Sequence, residues 1–140
     1  YRLWGYDMGY LDTPLEAGLG FTVAWDKPGG FLGREALLAQ REQGVRRRLV
    51  QLVLSDPEPL AYRTEPIWRD GELVGTVTSG MFGHTLGATV ALGWVERPDG
   101  PATDEWLREG TYEVEIAWER VPAELHLRPA YDPSGSRLRA

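Results

Sequence analysis

Few residues of this chain have types and spacings that suit chemistry. His84 stands in Gly80-Met81-Phe82-Gly83-His84-Thr85-Leu86-Gly87, a glycine-punctuated stretch that reads as a loop. Loops present ligand and partner contacts more often than strands do, which makes His84 a contact candidate. His126 alternates with Leu125 and Leu127 and so falls on the polar face of a strand. With no second ligand at a metal-binding spacing, it reads as a surface histidine. Glu113 and Glu115 share one strand face, and a paired-carboxylate mechanism needs both in a cleft; here they read as solvent-facing. The glycines at 71, 75, 80, 83 and 87 lack the Gly-Lys-Ser/Thr ending that a phosphate loop requires, so they are expected to serve turns and bulges. Arg46-Arg47-Arg48 is too short for a phosphate patch and reads as a solvated lead-in to a strand. No catalytic residue is assigned.

The elements that hold these residues follow from periodicity and turn chemistry. A strand is predicted over Phe21 to Trp25, with Phe21, Val23 and Trp25 on one face, and a helix over Gly33 to Gly44, stopped by its last glycine. Leu49 to Leu54 is an apolar run of strand length, closed by Asp56-Pro57-Glu58-Pro59. Pro66 to Arg69 and Glu72 to Thr78 flank Asp70-Gly71, a strong two-residue hairpin signal. Gly87 to Val95 is the next strand, and Asp104 to Glu109 a helical turn ended by Gly110. Thr111 to Trp118 and Val121 to Arg128 both alternate. Tyr112, Val114, Ile116 and Trp118 share one face of the first, and Ala123, Leu125 and Leu127 one face of the second. Short strands at this spacing predict a small antiparallel barrel.

Composition bounds the function classes. The 140 residues carry 15 basic and 21 acidic side chains, a net charge of -6, which argues against duplex nucleic acid as a partner. There is no cysteine, so disulfides, thiolate metal sites and a cysteine nucleophile are excluded, and a reducing, cytoplasmic compartment fits. The longest uncharged run, Val74 to Leu92, is broken by glycines, Ser79 and His84 and makes a poor membrane span. Tyr1 is not an initiator methionine, and the chain reads as cut from something longer or processed.

Ordered phrases carry a resemblance. Leu3-Trp4-Gly5-Tyr6-Asp7, Asp12-Thr13-Pro14-Leu15-Glu16-Ala17-Gly18-Leu19-Gly20-Phe21 and Phe31-Leu32-Gly33-Arg34-Glu35-Ala36-Leu37 open it. Glu65-Pro66-Ile67, Gly75-Thr76-Val77-Thr78-Ser79-Gly80, Ala91-Leu92-Gly93-Trp94-Val95 and Pro129-Ala130-Tyr131-Asp132-Pro133 continue it. Together they resemble the glycine-cleavage T-protein (aminomethyltransferase) family along nearly the whole chain. Trp4 and the ending Tyr131-Asp132-Pro133-Ser134-Gly135 look most like the folate-dependent half of dimethylglycine and sarcosine dehydrogenases.

The resemblance implies a mainly β fold with some α. Residues 1–44 would be the end of the folate-binding middle subdomain, an α/β tail, and 45–140 a C-terminal, Greek-key-like antiparallel barrel of about six strands. It implies a tetrahydrofolate-dependent one-carbon transfer from a methylamine-type donor. The key carboxylates would lie upstream of Tyr1, with FAD in a further N-terminal domain if the parent is a dehydrogenase. Three residues are implied as ligand contacts: Trp4 as an aromatic platform for the pterin or benzoyl group, Lys27 near a folate-contacting cation position, and Arg137 toward the ligand's carboxylate tail. The implied partners are folate, a small amine and the rest of the polypeptide or another subunit, with no membrane and no metal. The alternative is a non-catalytic docking module, for which six tryptophans supply apolar surface.

Overall fold

The structure, a computed structural model, describes residues 2–139; Tyr1 and Ala140 lie outside the described residues. Six strands form a closed barrel: β1 (Arg47–Leu54), β2 (Pro66–Arg69), β3 (Glu72–Gly83), β4 (Ala88–Glu96), β5 (Tyr112–Ile116) and β6 (Glu119–His126). Their order around the barrel is β1-β4-β3-β2-β5-β6, and β6 pairs back onto β1. Every pairing is antiparallel. Strands β2, β3 and β4 form a meander, and β1 reaches the far side of β4 through the long 55–65 connection, which is the Greek-key arrangement that the family resemblance implies. Helix α1 (Arg34–Gln43) precedes the barrel, and α2 (Asp104–Glu109) lies in the connection between β4 and β5.

Closure of so narrow a barrel requires alternating inward residues and small ones where the walls approach. In β4 every second residue is buried, from Thr89 through Ala91 to Val95. Leu52, Ile67, Val95 and Val114 meet at the centre, each with no exposed surface, and Leu107 of α2 is as deeply buried. A Cβ on Gly93 would stand 2.4 Å from Ile67 Cδ1, and one on Gly75 only 1.7 Å from the Trp94 carbonyl oxygen, so only glycine fits at either position. Asp70 and Gly71 both have positive φ, 51° and 88°, as a two-residue hairpin of the predicted kind demands. Thr103 caps α2 by accepting a hydrogen bond from the Trp106 N–H at 3.2 Å.

Four expectations are corrected. Phe21 to Trp25 is not a strand: Gly20–Thr22 is a 3-10 turn whose N–H groups bond locally, and Phe21 is 85% exposed. An isolated run of alternating residues with no neighbouring strand cannot satisfy its backbone as a ladder, so local turns take over. The glycine-punctuated stretch is mostly strand, because β3 runs on to Gly83 and the turn is confined to residues 84–87. Trp118 does not continue the inward face of β5. It sits with Ala117 at a two-residue hairpin tip, both at positive φ (50° and 71°), and it is 93% exposed. The arginines at 46–48 are not simply solvated. Arg47 pairs with Asp12 (2.5 Å) and Glu16 (3.2 Å) and lies 4.6 Å from the Trp94 ring centroid, while Arg48 pairs with Asp104 (3.2 Å).

Candidate functional site

The segment before α1 lies along the edge of β1 that β6 leaves unpaired and against β3 and β4. Leu49 N–H donates to the Glu16 carbonyl (2.9 Å), and Trp94 Nε1 donates to the Asp7 carbonyl (2.9 Å). At its start, residues Leu3 to Met8 form a small closed loop. Gly5 N–H donates to the Met8 carbonyl (2.8 Å) and Asp7 N–H to the Leu3 carbonyl (2.8 Å), and Trp4 and Met8 form a bridge. Gly5 sits at φ 81°, with open space where a side chain would be.

Asp7 anchors this loop. The residue is 3% exposed; Oδ1 accepts from Thr78 Oγ1 and Ser79 Oγ, both at 2.6 Å, and Oδ2 accepts from Leu3 N–H at 2.8 Å. Two neighbouring strand residues normally point to opposite faces. Here β3 carries a bulge between Val77 and Ser79, so that Thr78 and Ser79 together oppose Leu92 and both hydroxyls reach the same carboxylate. Burial pushes the Asp7 carboxyl's pKa up, but the hydrogen bonds from Ser79, Thr78 and Leu3 outweigh it and hold the group below the usual carboxylate range. An anion so fully hydrogen-bonded is a poor proton acceptor, and the arrangement makes it a tether rather than a general base. Asp7 was missed at the sequence level. The available signal was the Thr78-Ser79 hydroxyl pair inside an apolar strand.

What the tether presents is aromatic. Between Leu3 and Asp7 the chain bulges outward, leaving Trp4 66% and Tyr6 43% exposed, with the Arg63 guanidinium 4.6 Å from the Tyr6 ring centroid. Leu3, Tyr10 and Leu11 extend the exposed apolar surface along the same segment. Apolar side chains clustered on a surface mark contact with a ligand or another protein segment. Beyond it, Glu65 accepts from Tyr62 N–H (2.6 Å), and its pKa is raised by burial.

The other sequence candidates lie apart from Trp4. Lys27 is exposed and lines a concavity of about 680 Å³ at the start of α1, with Gly29, Gly30 and Arg34. Arg137 lies in the C-terminal turn, where Nη1 donates to Tyr131 Oη (2.9 Å) and its N–H donates to Asp132 Oδ2 (3.0 Å). That turn is organised around Asp132: desolvation pushes its pKa up, but the hydrogen bonds it accepts from Arg137 and Ser136 together outweigh this and hold it below the ordinary carboxylate value. Among the described residues, no hydrogen bond or ring contact joins Trp4, Lys27 and Arg137.

The remaining polar candidates are occupied structurally. His84 is exposed at the 84–87 turn, edge-on to Phe82 at 5.2 Å. His126 Nε2 stands 3.5 Å from Glu124 Oε1. Glu113 and Glu115 are partly covered by Arg120, which is 3.8 Å from each and lies 3.7 Å from the Trp68 ring centroid. Among the described residues, no group of His, Asp and Glu side chains is arranged to hold a metal ion, and no helix is long and apolar enough to cross a membrane.

The barrel matches a known family. A family model described as the glycine cleavage T-protein C-terminal barrel domain covers residues 47–132. The chain belongs to that family. Within the T-protein barrel family it is 42% identical over 139 residues to 4-methylaminobutanoate oxidase (formaldehyde-forming) of Paenarthrobacter nicotinovorans, covering 99% of this chain and 16% of that protein. It is 40% identical over 140 residues to human mitochondrial sarcosine dehydrogenase, covering 99% of this chain and 15% of the relative. The crystal structure of the glycine cleavage system aminomethyltransferase T from Bartonella henselae superimposes with a TM-score of 0.73 and 25% identity, over 90% of this chain and 34% of that one. The T-protein barrel chain thus spans about one sixth of the length of the two curated relatives.

Proposed function

We propose that this chain is the C-terminal part of a tetrahydrofolate-dependent enzyme that receives a one-carbon unit from a methylamine-type donor, within a sarcosine or dimethylglycine dehydrogenase-like polypeptide. Residues 1–44 complete its folate-binding subdomain and residues 45–140 are its terminal barrel. The observation that carries the reading is Trp4, left 66% exposed on a loop whose anchoring residue, Asp7, is 3% exposed. A flat aromatic platform held rigidly at a surface suits stacking by a pterin or benzoyl ring. Tetrahydrofolate supplies the nitrogen that accepts the carbon. This chain's part is to orient the carrier, with Lys27 and Arg137 as cations available to its carboxylates.

The acid–base and charge-stabilising groups belong to the remainder of the polypeptide, because the one buried carboxylate among the described residues is fully hydrogen-bonded. FAD belongs to a separate dehydrogenase portion, and a cysteine-free chain is compatible with the cytoplasm. Titration calorimetry of tetrahydrofolate into the full-length polypeptide tests the reading. Saturable binding, weakened by Trp4→Ala, is expected; an absence of binding heat overturns it.

A second reading, a non-catalytic docking module, draws on the exposed Tyr10, Leu11, Phe21, Leu32 and Trp118. If it holds, Trp4→Ala and Trp118→Ala weaken association with the partner domain and folate binding is absent.

A further inference from the structure

We propose that Asp7 is the positioning residue of the Trp4 platform: it fixes the loop shape with one carboxylate oxygen and the loop's place on the barrel with the other. The inference rests on the folate reading above, and its geometry stands independently. Oδ2 accepts from Leu3 N–H and so closes the chain on either side of Trp4-Gly5-Tyr6. Oδ1 accepts from Thr78 and Ser79, the two hydroxyls that the β3 bulge turns to one side. The Asp7 carbonyl takes the indole N–H of Trp94, giving the loop a second attachment on β4. Trp4 itself makes one bridge, to Met8, within the same loop. The side chain expected to meet ligand is therefore located by a residue that is buried and cannot touch ligand.

Two variants separate the role from folding. Asp7→Ala removes both carboxylate acceptors, while the backbone bonds of the loop and the Trp94 indole N–H on the residue-7 carbonyl remain. Asp7→Asn is the conservative control: its amide oxygen accepts from Leu3 N–H and its NH2 donates to the Thr78 and Ser79 hydroxyls, which accept as well as donate. Thr78→Val combined with Ser79→Ala keeps the Leu3 bond and releases the carboxylate from β3.

The test uses the full-length polypeptide and two readouts. The first is tetrahydrofolate affinity in a double-mutant cycle of Asp7→Ala with Trp4→Ala. Asp7→Ala is expected to weaken binding about tenfold, the order of one lost hydrogen bond to a charged group, and Asp7→Asn to restore most of it. In the Trp4→Ala background Asp7→Ala is expected to weaken binding no further, which a merely structural role does not predict. The second readout needs no folate: the acrylamide quenching of Trp4, taken as the difference between each protein and its Trp4→Phe counterpart, should rise in Asp7→Ala and in the Thr78→Val/Ser79→Ala variant.

If the unaltered polypeptide binds no tetrahydrofolate, the folate reading fails while the quenching still decides the positioning role. Unchanged quenching in both variants, or an equal loss of affinity with and without Trp4, overturns the proposal.

Discussion

Thr78 Oγ1 stands 2.6 Å from Asp7 Oδ1, although 71 residues separate the two in sequence. The contact joins a loop that precedes the barrel to the middle of its longest strand, and it exists because the bulge at Thr78 breaks the alternation of β3.

The buried carboxylate implies a dependence on acid. Asp7 titrates below its ordinary value near 4 in the folded chain, so its contribution to stability is complete above that unfolded-state value and is lost as the pH falls through the lower folded one. Urea midpoints measured from pH 6 downward should decline below about pH 4. Asp7→Asn should flatten part of that decline and Asp132→Asn another part, since Asp132 is shifted in the same direction. A slope identical in all three proteins contradicts the assignment.

Arg47 joins the N-terminal segment to the barrel through two ion pairs, with Asp12 and Glu16, while its guanidinium lies over the ring of Trp94 on the neighbouring strand β4. The ion pairs are partly solvent-screened, so Arg47→Ala is expected to cost about 1–2 kcal/mol, mostly from the stacked guanidinium and lost packing. Arg47→Lys should recover less than half of this, because a point charge cannot both stack and fork. Equal midpoints for the lysine variant and the parent chain contradict the stacking account.

Ala117 and Trp118 occupy a hairpin tip in which both φ angles are positive, a conformation that costs a non-glycine residue about 1–2 kcal/mol. Replacing the pair by Asn-Gly supplies residues that adopt this turn readily and should stabilise the chain by about 1 kcal/mol, read as a higher melting temperature. A lower melting temperature indicates that Trp118 makes a stabilising contact that its exposure conceals.

Gly75 faces the Trp94 carbonyl so closely that a methyl group has no room, and Gly75→Ala should prevent formation of the native barrel. Gly100, whose nearest neighbour to an added Cβ is 3.9 Å away, should accept alanine within about 0.5 kcal/mol. Near-ultraviolet circular dichroism of the two variants distinguishes these outcomes.

The sequence by itself determined the parts of the fold that depend on near neighbours. Period-two alternation located β5 and β6, a continuous apolar run located β1, and Asp70-Gly71 set the β2–β3 hairpin because those residue types adopt positive φ at little cost. The glycine stops placed both helices. The other β-hairpin tip with a two-residue loop stayed hidden for the same reason reversed: Ala117-Trp118 carries no turn chemistry, and strand pairing imposes the turn on it. Phe21 to Trp25 alternates like a strand, but alternation requires a hydrogen-bonding partner before it becomes one. Trp4 could be singled out from its phrase, whereas what holds it could not. The Asp7 tether needs a bulge on β3, two hydroxyls turned to one face and a loop brought across the barrel. Only the tertiary structure decided that, because the free energy of burying a carboxylate depends on donors that sequence distance does not reveal.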